Sequence, residues 1–190
     1  APEGVVMVTS DAHAGLKHAI KAILPGASWQ RCRVHFARNI TQALGSARST
    51  PINALVSTIF AQTSPETVRE TYRQVTTSLE ASFPRIAVML RDAEADLTAF
   101  AAFPIEHWRK TWSNNPIERV NREIKRRADV VQIFPNRDSA MRLVGAVLQD
   151  QHEEWQYGER RYISDISLRR LADLLATETP TSPSQILMTA

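Results

Sequence analysis

The residues of this sequence that could do chemistry are concentrated in one stretch, Ser113–Arg127, SNNPIERVNREIKRR. Asn115 followed by Pro116 is typical of a helix start, with asparagine as the N-cap and proline at the first helical position. Glu118 then falls on the first turn, where exposed N–H groups and the helix dipole favour a carboxylate. A single carboxylate at the start of a basic helix suggests a metal ligand beside a phosphate-binding surface. The basic residues of that surface are Arg119, Arg122, Lys125, Arg126 and Arg127.

The same stretch also has a purely structural interpretation. Asn115 and Glu118 are spaced as in a capping box, in which the glutamate only closes the start of the helix. Basic helix faces are usually just solvated. Taken alone, the stretch leaves both interpretations open, and capping is the commoner of the two.

A second candidate carboxylate, Asp11, follows the short apolar run Val5–Thr9. The run is rich in β-branched residues and is predicted to be a buried strand in a sheet with parallel neighbours. Apolar residues with helical spacing follow between Leu16 and Leu24. Asp11 is therefore predicted at the carboxyl end of a strand, a common position for functional groups in open α/β sheets. It could equally be the N-cap of the following helix.

Cys32 and His35 lie in a second predicted strand, Trp29–Phe36, at a spacing that is seen in metal sites. A closed zinc site needs four ligands, and the chain contains 1 cysteine. A packed cysteine and a hydrogen-bonding histidine are therefore the favoured interpretation. The single cysteine also excludes an internal disulfide and favours a reducing compartment.

The remaining chain is predicted to be almost entirely helical. Its apolar stripes are ordinary core faces, and core packing is favoured over base stacking for the aromatic residues of this region. The predicted helices are Phe36–Leu44, Pro51–Ala61, three opened by Pro65, Pro84 and Pro104, the basic helix, Arg137–Trp155 and Ser164–Ala176. An extended segment is predicted at Val130–Pro135, and a disordered tail from Thr177.

Composition is that of an ordinary globular chain of one domain, or one and a half small ones. The 190 residues are 43% hydrophobic and 23% charged. The net charge of +3, the pI of about 9.4 and the local basic cluster permit a polyanionic partner. The sequence has no secretory signal and no long uncharged apolar run, which predicts no membrane partner. Because the first residue is not Met, we expect a piece of a longer protein.

Three motifs occur in order along the chain: SDAHAGL at Ser10–Leu16, CRVHF at Cys32–Phe36 and SNNPIERVNREIKRR at Ser113–Arg127, followed by IFPNR at Ile133–Arg137. Together they resemble the C-terminal catalytic part of mutator-type insertion-sequence transposases, over nearly the whole chain up to about Tyr162. The resemblance implies an α/β, mostly helical fold. It is a partial ribonuclease-H-like core (1–35) with an all-helical insertion (36–112), core and C-terminal helices (113–176) and a disordered tail (177–190).

The resemblance also implies the chemistry. Enzymes of this family hold two divalent metals, Mg²⁺ or Mn²⁺, with three carboxylates, and use them for phosphodiester cleavage and strand transfer at transposon ends. By resemblance, Asp11 is the second acid, Glu118 the third, and Lys125 the basic residue seven positions later. Five residues of the motifs are expected to have accessory or structural roles: His13, Cys32, His35, Trp112 and Asn115.

One departure from the family pattern concerns the first catalytic aspartate, because the only acid before Asp11 is Glu3. We therefore expect a transposase fragment that is inactive by itself, with Val5–Thr9 as a sheet edge whose Val6 and Val8 amides lack partners.

One alternative is a truncated module that only binds DNA or full-length transposase, and another is a helical regulator without a DNA role. The expected partner is DNA, both transposon ends and target. The full-length enzyme is expected to be a homo-oligomer, cytoplasmic and associated with the nucleoid.

Overall fold

The computed structural model of the chain describes residues 4–157 and 162–178, without the side chains of 177 and 178. That part forms two strands, two short 3-10 segments (Thr58–Ala61 and Ala99–Ala102) and nine α-helices, which confirms the mostly helical α/β class. The strands are β1 (Met7–Ser10) and β2 (Ser28–Arg31). The helices are α1 (Ala14–Ile23), α2 (Arg33–Leu44), α3 (Ser46–Ser57), α4 (Pro65–Leu79), α5 (Pro84–Thr98), α6 (Ile105–Thr111), α7 (Asn115–Val131), α8 (Arg137–Tyr157) and α9 (Asp165–Glu178).

The two strands pair in parallel, with Val8 opposite Trp29, and α1 forms the crossover between them. The first strand and its parallel neighbour are confirmed with a small shift in bounds, but the predicted burial is wrong for all but Ser10, because the other strand residues are half-buried. The second is wrong beyond Arg31, because the Phe36 N–H donates to the Cys32 carbonyl at 3.0 Å and closes the first turn of α2. His35 is therefore a helical residue, and it does not alternate with its neighbours as it would in a strand.

Prolines mark helix starts correctly at three positions. Pro65 and Pro84 are the first residues of α4 and α5, and Pro104 directly precedes α6. The same rule is wrong at Pro51, which lies inside α3. Gly45, with φ of 80°, separates α2 from α3, and α3 already begins at Ser46.

Two predictions after the basic helix need correction or fall partly outside the described residues. Val130 and Val131 continue α7, so the extended segment begins later; Gln132, with φ of 62°, follows the helix end. Thr177 belongs to α9 and not to a tail. The rest of the predicted disordered tail, from 179 on, lies outside the described residues.

The main core lies among the helices between Phe36 and Trp112. Its centre is aromatic: Phe100 stacks on Phe60 with ring centroids 5.6 Å apart and meets the ring of Trp108 edge-on at 5.1 Å. Trp112 is 8% exposed and contacts Phe60 and Phe100 by their edges. These contacts confirm core packing for the aromatic residues of this region.

Gln30 joins the small sheet to this core. The side chain is fully buried, and its Nε2 donates to the Leu97 carbonyl at 3.0 Å and to the Arg31 carbonyl at 2.8 Å. Its Oε1 accepts from the Phe100 N–H at 2.8 Å. The amide therefore pairs main-chain groups at the end of α5 and in the following 3-10 segment, where unpaired polar groups would be costly.

Replacing Gln30 by leucine should destabilise the fold, because the Phe100 N–H and the Leu97 carbonyl would be buried without this partner. We expect a loss of about 2 kcal/mol or more in the free energy of unfolding, measured by urea denaturation. Gln74→Leu is the matched control, because Gln74 is exposed and bonds only Glu70. Equal stability of Gln30→Leu and wild type would show that Gln30 does not anchor the sheet.

The free edge of β1 is formed by different residues from those predicted. The Val6 and Ser10 carbonyls accept from the N–H groups of Ser28 (2.9 Å) and Cys32 (2.7 Å). Alternate residues of a parallel strand bond to the same neighbour, so Val8 also faces β2. The prediction that the Val8 amide lacks a partner is therefore wrong, and for Val6 it is the carbonyl that is paired. Met7 and Thr9 face away, where the described residues contain no strand.

Hydrogen exchange measured by NMR should distinguish the two sets of amides. We expect the Met7 and Thr9 amides to exchange much faster than the Val8 amide, because only the latter bonds to the neighbouring strand. Equally slow exchange of Thr9 and Val8 would mean that another element covers this edge.

Candidate active site

The carboxyl ends of both strands are tied to the segment that precedes α7. The Cys32 N–H donates to the Ser10 carbonyl at 2.7 Å, which continues the ladder beyond β2. The Arg33 N–H donates to the Trp112 carbonyl at 2.9 Å, and the Thr9 hydroxyl donates to the Thr111 carbonyl. We call this place the strand-end junction. It brings together distant parts of the chain, since Thr9 and Thr111 are 102 residues apart in the sequence.

Cys32 is the buried centre of the junction, with an exposed fraction of 0%. Its thiol donates to the Asn114 Oδ1 at 3.0 Å. The interpretation of Cys32 as a packed cysteine is therefore confirmed, and the thiol has a specific partner at the start of α7. Sequence reasoning missed Asn114, because a thiol–amide contact leaves no pattern in the sequence.

The start of α7 differs from the prediction. Asn114, not Asn115, is the N-cap residue, and it makes no side-chain cap. The Glu118 N–H instead donates to the Asn114 carbonyl at 3.0 Å, while the Asn114 side chain is engaged by the thiol of Cys32. Asn115 is the exposed first residue of the helix, so the predicted capping box is wrong. The carboxylate of Glu118 is consequently not used to close the helix.

The Glu118 carboxylate faces α2. Its Oε1 lies 3.5 Å from the His35 Nε2, and its Oε2 lies 3.6 Å from the Arg38 Nη2. Both distances exceed the usual range for a charged hydrogen bond, and the side chain is 29% exposed. The carboxylate oxygens can therefore still accept a closer ligand.

His35 and Arg38 form a pair beside this carboxylate. The Arg38 Nη1 lies 3.1 Å from the His35 Nε2, so the guanidinium contacts both the imidazole and the glutamate. The buried His35 Nδ1 has no hydrogen-bond partner. Sequence reasoning missed Arg38, because the predicted strand hid its position one helical turn after His35. The three-residue spacing would have revealed it if α2 had been predicted to begin at Arg33.

Asp11 directly follows β1 and is partly exposed. It is not the N-cap of α1; that position is taken by His13, which is exposed and makes no side-chain cap. Ser10 fixes the local backbone: its hydroxyl donates to the Asp11 carbonyl and accepts from the Trp29 Nε1, both at 2.8 Å. The Asp11 carboxylate is therefore free of the capping role that the sequence allowed.

Among the predicted site residues, the structure brings His35 beside Glu118. Cys32 bonds Asn114, the residue before the predicted Asn115. Asp11 follows the strand end to which Cys32 is bonded, while its sharing of a metal with Glu118 stays a prediction. Within 4–157 and 162–178, no group of three or more His, Cys, Asp and Glu side chains is placed to hold a metal ion together.

The basic residues of α7 differ in how far their charges are already paired. Glu123 accepts from Arg126 (2.7 and 2.9 Å) and Arg127 (2.9 Å), and these hydrogen bonds lower the pKa of Glu123 to about 2. Arg127 also contacts Asp150 at 3.4 Å. Arg122 and Lys125 are exposed and, in the described part of the chain, form no ion pair. Arg119 lies apart from them and lines a cleft.

None of the described helices is long and apolar enough to cross a membrane. That the chain has no membrane partner of any other kind stays a prediction.

Comparison with known proteins gives a consistent result. A family model described as Transposase, Mutator family, matches residues 2–158. The chain is 49% identical over 177 residues to the transposase for insertion sequence element IS1081 of Mycobacterium tuberculosis, covering 93% of the chain and 43% of that protein. It is 38% identical over 164 residues to the transposase for insertion sequence element IS256 in transposon Tn4001 of Staphylococcus aureus, covering 85% and 42%.

A third relative, the transposase for insertion sequence element ISRM5 of Rhizobium meliloti, is 34% identical over 167 residues, covering 88% of the chain and 42% of that protein. The chain thus spans less than half the length of these relatives. Because the family model covers most of the chain and identities reach 49%, the chain belongs to the Mutator family of transposases.

Proposed function

We propose that this chain supplies two carboxylates, Asp11 and Glu118, to a metal-dependent active site that cleaves and rejoins DNA at the ends of an insertion element. The observation that carries the proposal is the position of Glu118. Its carboxylate is released from helix capping and lies against the first turns of α2, the helix that follows the strand-end junction, with long contacts to His35 and Arg38.

The donor set suits Mg²⁺ or Mn²⁺. Both residues offer hard carboxylate oxygens, and Mg²⁺ in proteins commonly uses one or two carboxylates, completed by water and substrate phosphates. Parallel strands with an acid directly after the first are also what a partial ribonuclease-H-like core would supply. When bound, the metal would activate a water or a DNA 3′-hydroxyl and stabilise the leaving oxygen.

The protein groups around Glu118 have positioning roles in this proposal. Cys32, through Asn114, fixes the start of α7, and Arg38 and His35 hold the carboxylate when it has no other ligand. Arg38 also places a positive charge beside the site, where it can contact a phosphate of the DNA. Arg122 and Lys125, which are exposed and unpaired within the described residues, would contact neighbouring phosphates without reading bases.

The family pattern requires a third carboxylate, and no described acid joins Asp11 and Glu118 in a cluster of three. We therefore propose that the chain alone is inactive and that it acts with further residues in an oligomeric transposase on transposon ends and target DNA. The same observation favours the second candidate function, a module that only binds DNA or transposase.

The proposal is tested by grafting the chain into the IS1081 transposase in place of the region that it matches. We expect the hybrid to support excision of a marked element, and Glu118→Gln or Asp11→Asn to abolish it, because each removes a negative charge from the metal site. The 190-residue chain alone should show no metal-dependent nicking of DNA.

Glu123→Gln is the matched control, since Glu123 lies on the same helix but bonds Arg126 and Arg127. It should leave excision largely intact. Full excision by the Glu118→Gln hybrid would contradict the catalytic assignment, and nicking by the isolated chain that depends on Glu118 would contradict the proposed incompleteness.

A further inference from the structure

A cleft of about 840 Å³ lies between the end of α6, the start of α7 and the last turns of α8. Asn115 and Pro116 line it, so it shares the first turn of α7 with Glu118. The cleft has no part in the role proposed for Asp11 and Glu118. Two properties of its lining, charge and aromatic surface, indicate what it binds.

The charge of the cleft is strongly positive. Among the described residues, four cations line it, Arg33, Arg109, Lys110 and Arg119, against one acid, Glu154. None of these four forms an ion pair in the part of the chain that the structure describes. This separates them from Arg126 and Arg127, whose guanidinium groups are bonded to Glu123.

Arg33 is the clearest example of the excess of positive charge in the cleft. Its guanidinium lies 4.3 Å from the ring centroid of Trp112 and 5.3 Å from that of Phe60. Burial lowers the pKa of Arg33, and the nearby charge of Arg109 lowers it further while Cys32 acts in the opposite direction. Two neighbouring arginines that form no ion pair with any described residue favour an anionic ligand, for which a phosphodiester is the natural candidate in a DNA-acting protein.

The opposite wall of the cleft is aromatic. Trp155 and Tyr162 stack on each other with centroids 5.2 Å apart and planes inclined by 25°, and both remain partly exposed. The Lys110 Nζ lies 5.0 Å from the centroid of the Tyr162 ring. Trp112, in contrast, is buried behind Arg33 and backs the guanidinium. Only the Trp155–Tyr162 pair therefore offers aromatic surface to a ligand.

We propose that this cleft binds a single-stranded segment of DNA, with Arg33, Arg109 and Arg119 on its phosphates and the Trp155–Tyr162 pair against a base. Cationic grooves interleaved with aromatic rings are the recognition surface of unpaired strands, because the bases of a duplex are stacked on one another and unavailable to side chains. The inference rests on the proposed function, and it places an unpaired strand beside the helix that carries Glu118.

The test measures binding of the 190-residue chain to a fluorescein-labelled oligothymidine and to a duplex of equal length, by fluorescence anisotropy in EDTA over a series of salt concentrations. Wild type should bind the single strand more tightly. Trp155→Ala should weaken single-strand binding at least about fivefold, and Trp155→Phe should largely restore it. Arg119→Gln should weaken binding and reduce the salt slope by about one.

Arg69→Gln is the matched control, because it removes the same charge from an exposed guanidinium that is paired with Glu66 on α4 and does not line the cleft. It should leave single-strand binding unchanged. Circular dichroism checks that each variant is folded. If Trp155→Ala does not fold, the single-strand affinity of Arg119→Gln tests the inference instead, because Arg119 is exposed.

Three results would overturn the inference: equal affinity of wild type for single strand and duplex, no binding of either, or cleft variants that behave like Arg69→Gln. None of these results bears on the proposed function. The excision assay tests the carboxylates of Glu118 and Asp11, whereas the binding assay is done in EDTA and does not depend on them. Conversely, failure of the excision assay with intact single-strand preference would overturn the catalytic proposal alone.

Discussion

The hydrogen bonds of Cys32 hold the candidate site together. Its N–H joins the end of β2 to Ser10, and its thiol joins the same point to Asn114, at the start of α7. Cys32 itself is fully buried, where an unpaired backbone N–H would be costly. Its thiol is a weaker donor, but the bond to Asn114 still specifies which atoms meet. This one residue therefore fixes the strand end before Asp11 relative to the helix start before Glu118. The long helical region between Cys32 and Asn114 must therefore bring the chain back to the strand-end junction.

That return is secured by a second set of hydrogen bonds. Gln30 bonds the end of α5 and the following 3-10 segment, while Arg33 and Thr9 bond the carbonyls of Trp112 and Thr111 at the end of α6. The helical core and the small sheet are thus joined through polar contacts with the backbone as well as by apolar burial. Such contacts define a position more sharply than apolar contacts, because their geometry is directional.

Several elements, and the places of Asp11 after a strand and of Glu118 in a first helical turn, could be predicted from the sequence for local reasons. Proline and serine mark the start of α4, β-branched residues mark β1, and a carboxylate after a strand or in a first helical turn is a recognisable pattern. The end of β2 could not be predicted, because it depends on the bond from Arg33 to Trp112, far away in the sequence. The absence of a capping box has the same kind of cause, since the side chain of Asn114 is taken by the thiol of Cys32. The cleft beside α7 was missed because its cations and aromatic rings come from four separate segments.

The metal site that we propose for Asp11 and Glu118 can be observed by anomalous diffraction from crystals of the chain grown with Mn²⁺. We expect a peak about 2 Å from a carboxylate oxygen of at least one of the two residues, with the other bound directly or through one water. A well-ordered structure with the two side chains on opposite faces of the sheet, or with Mn²⁺ bound only elsewhere, would contradict it.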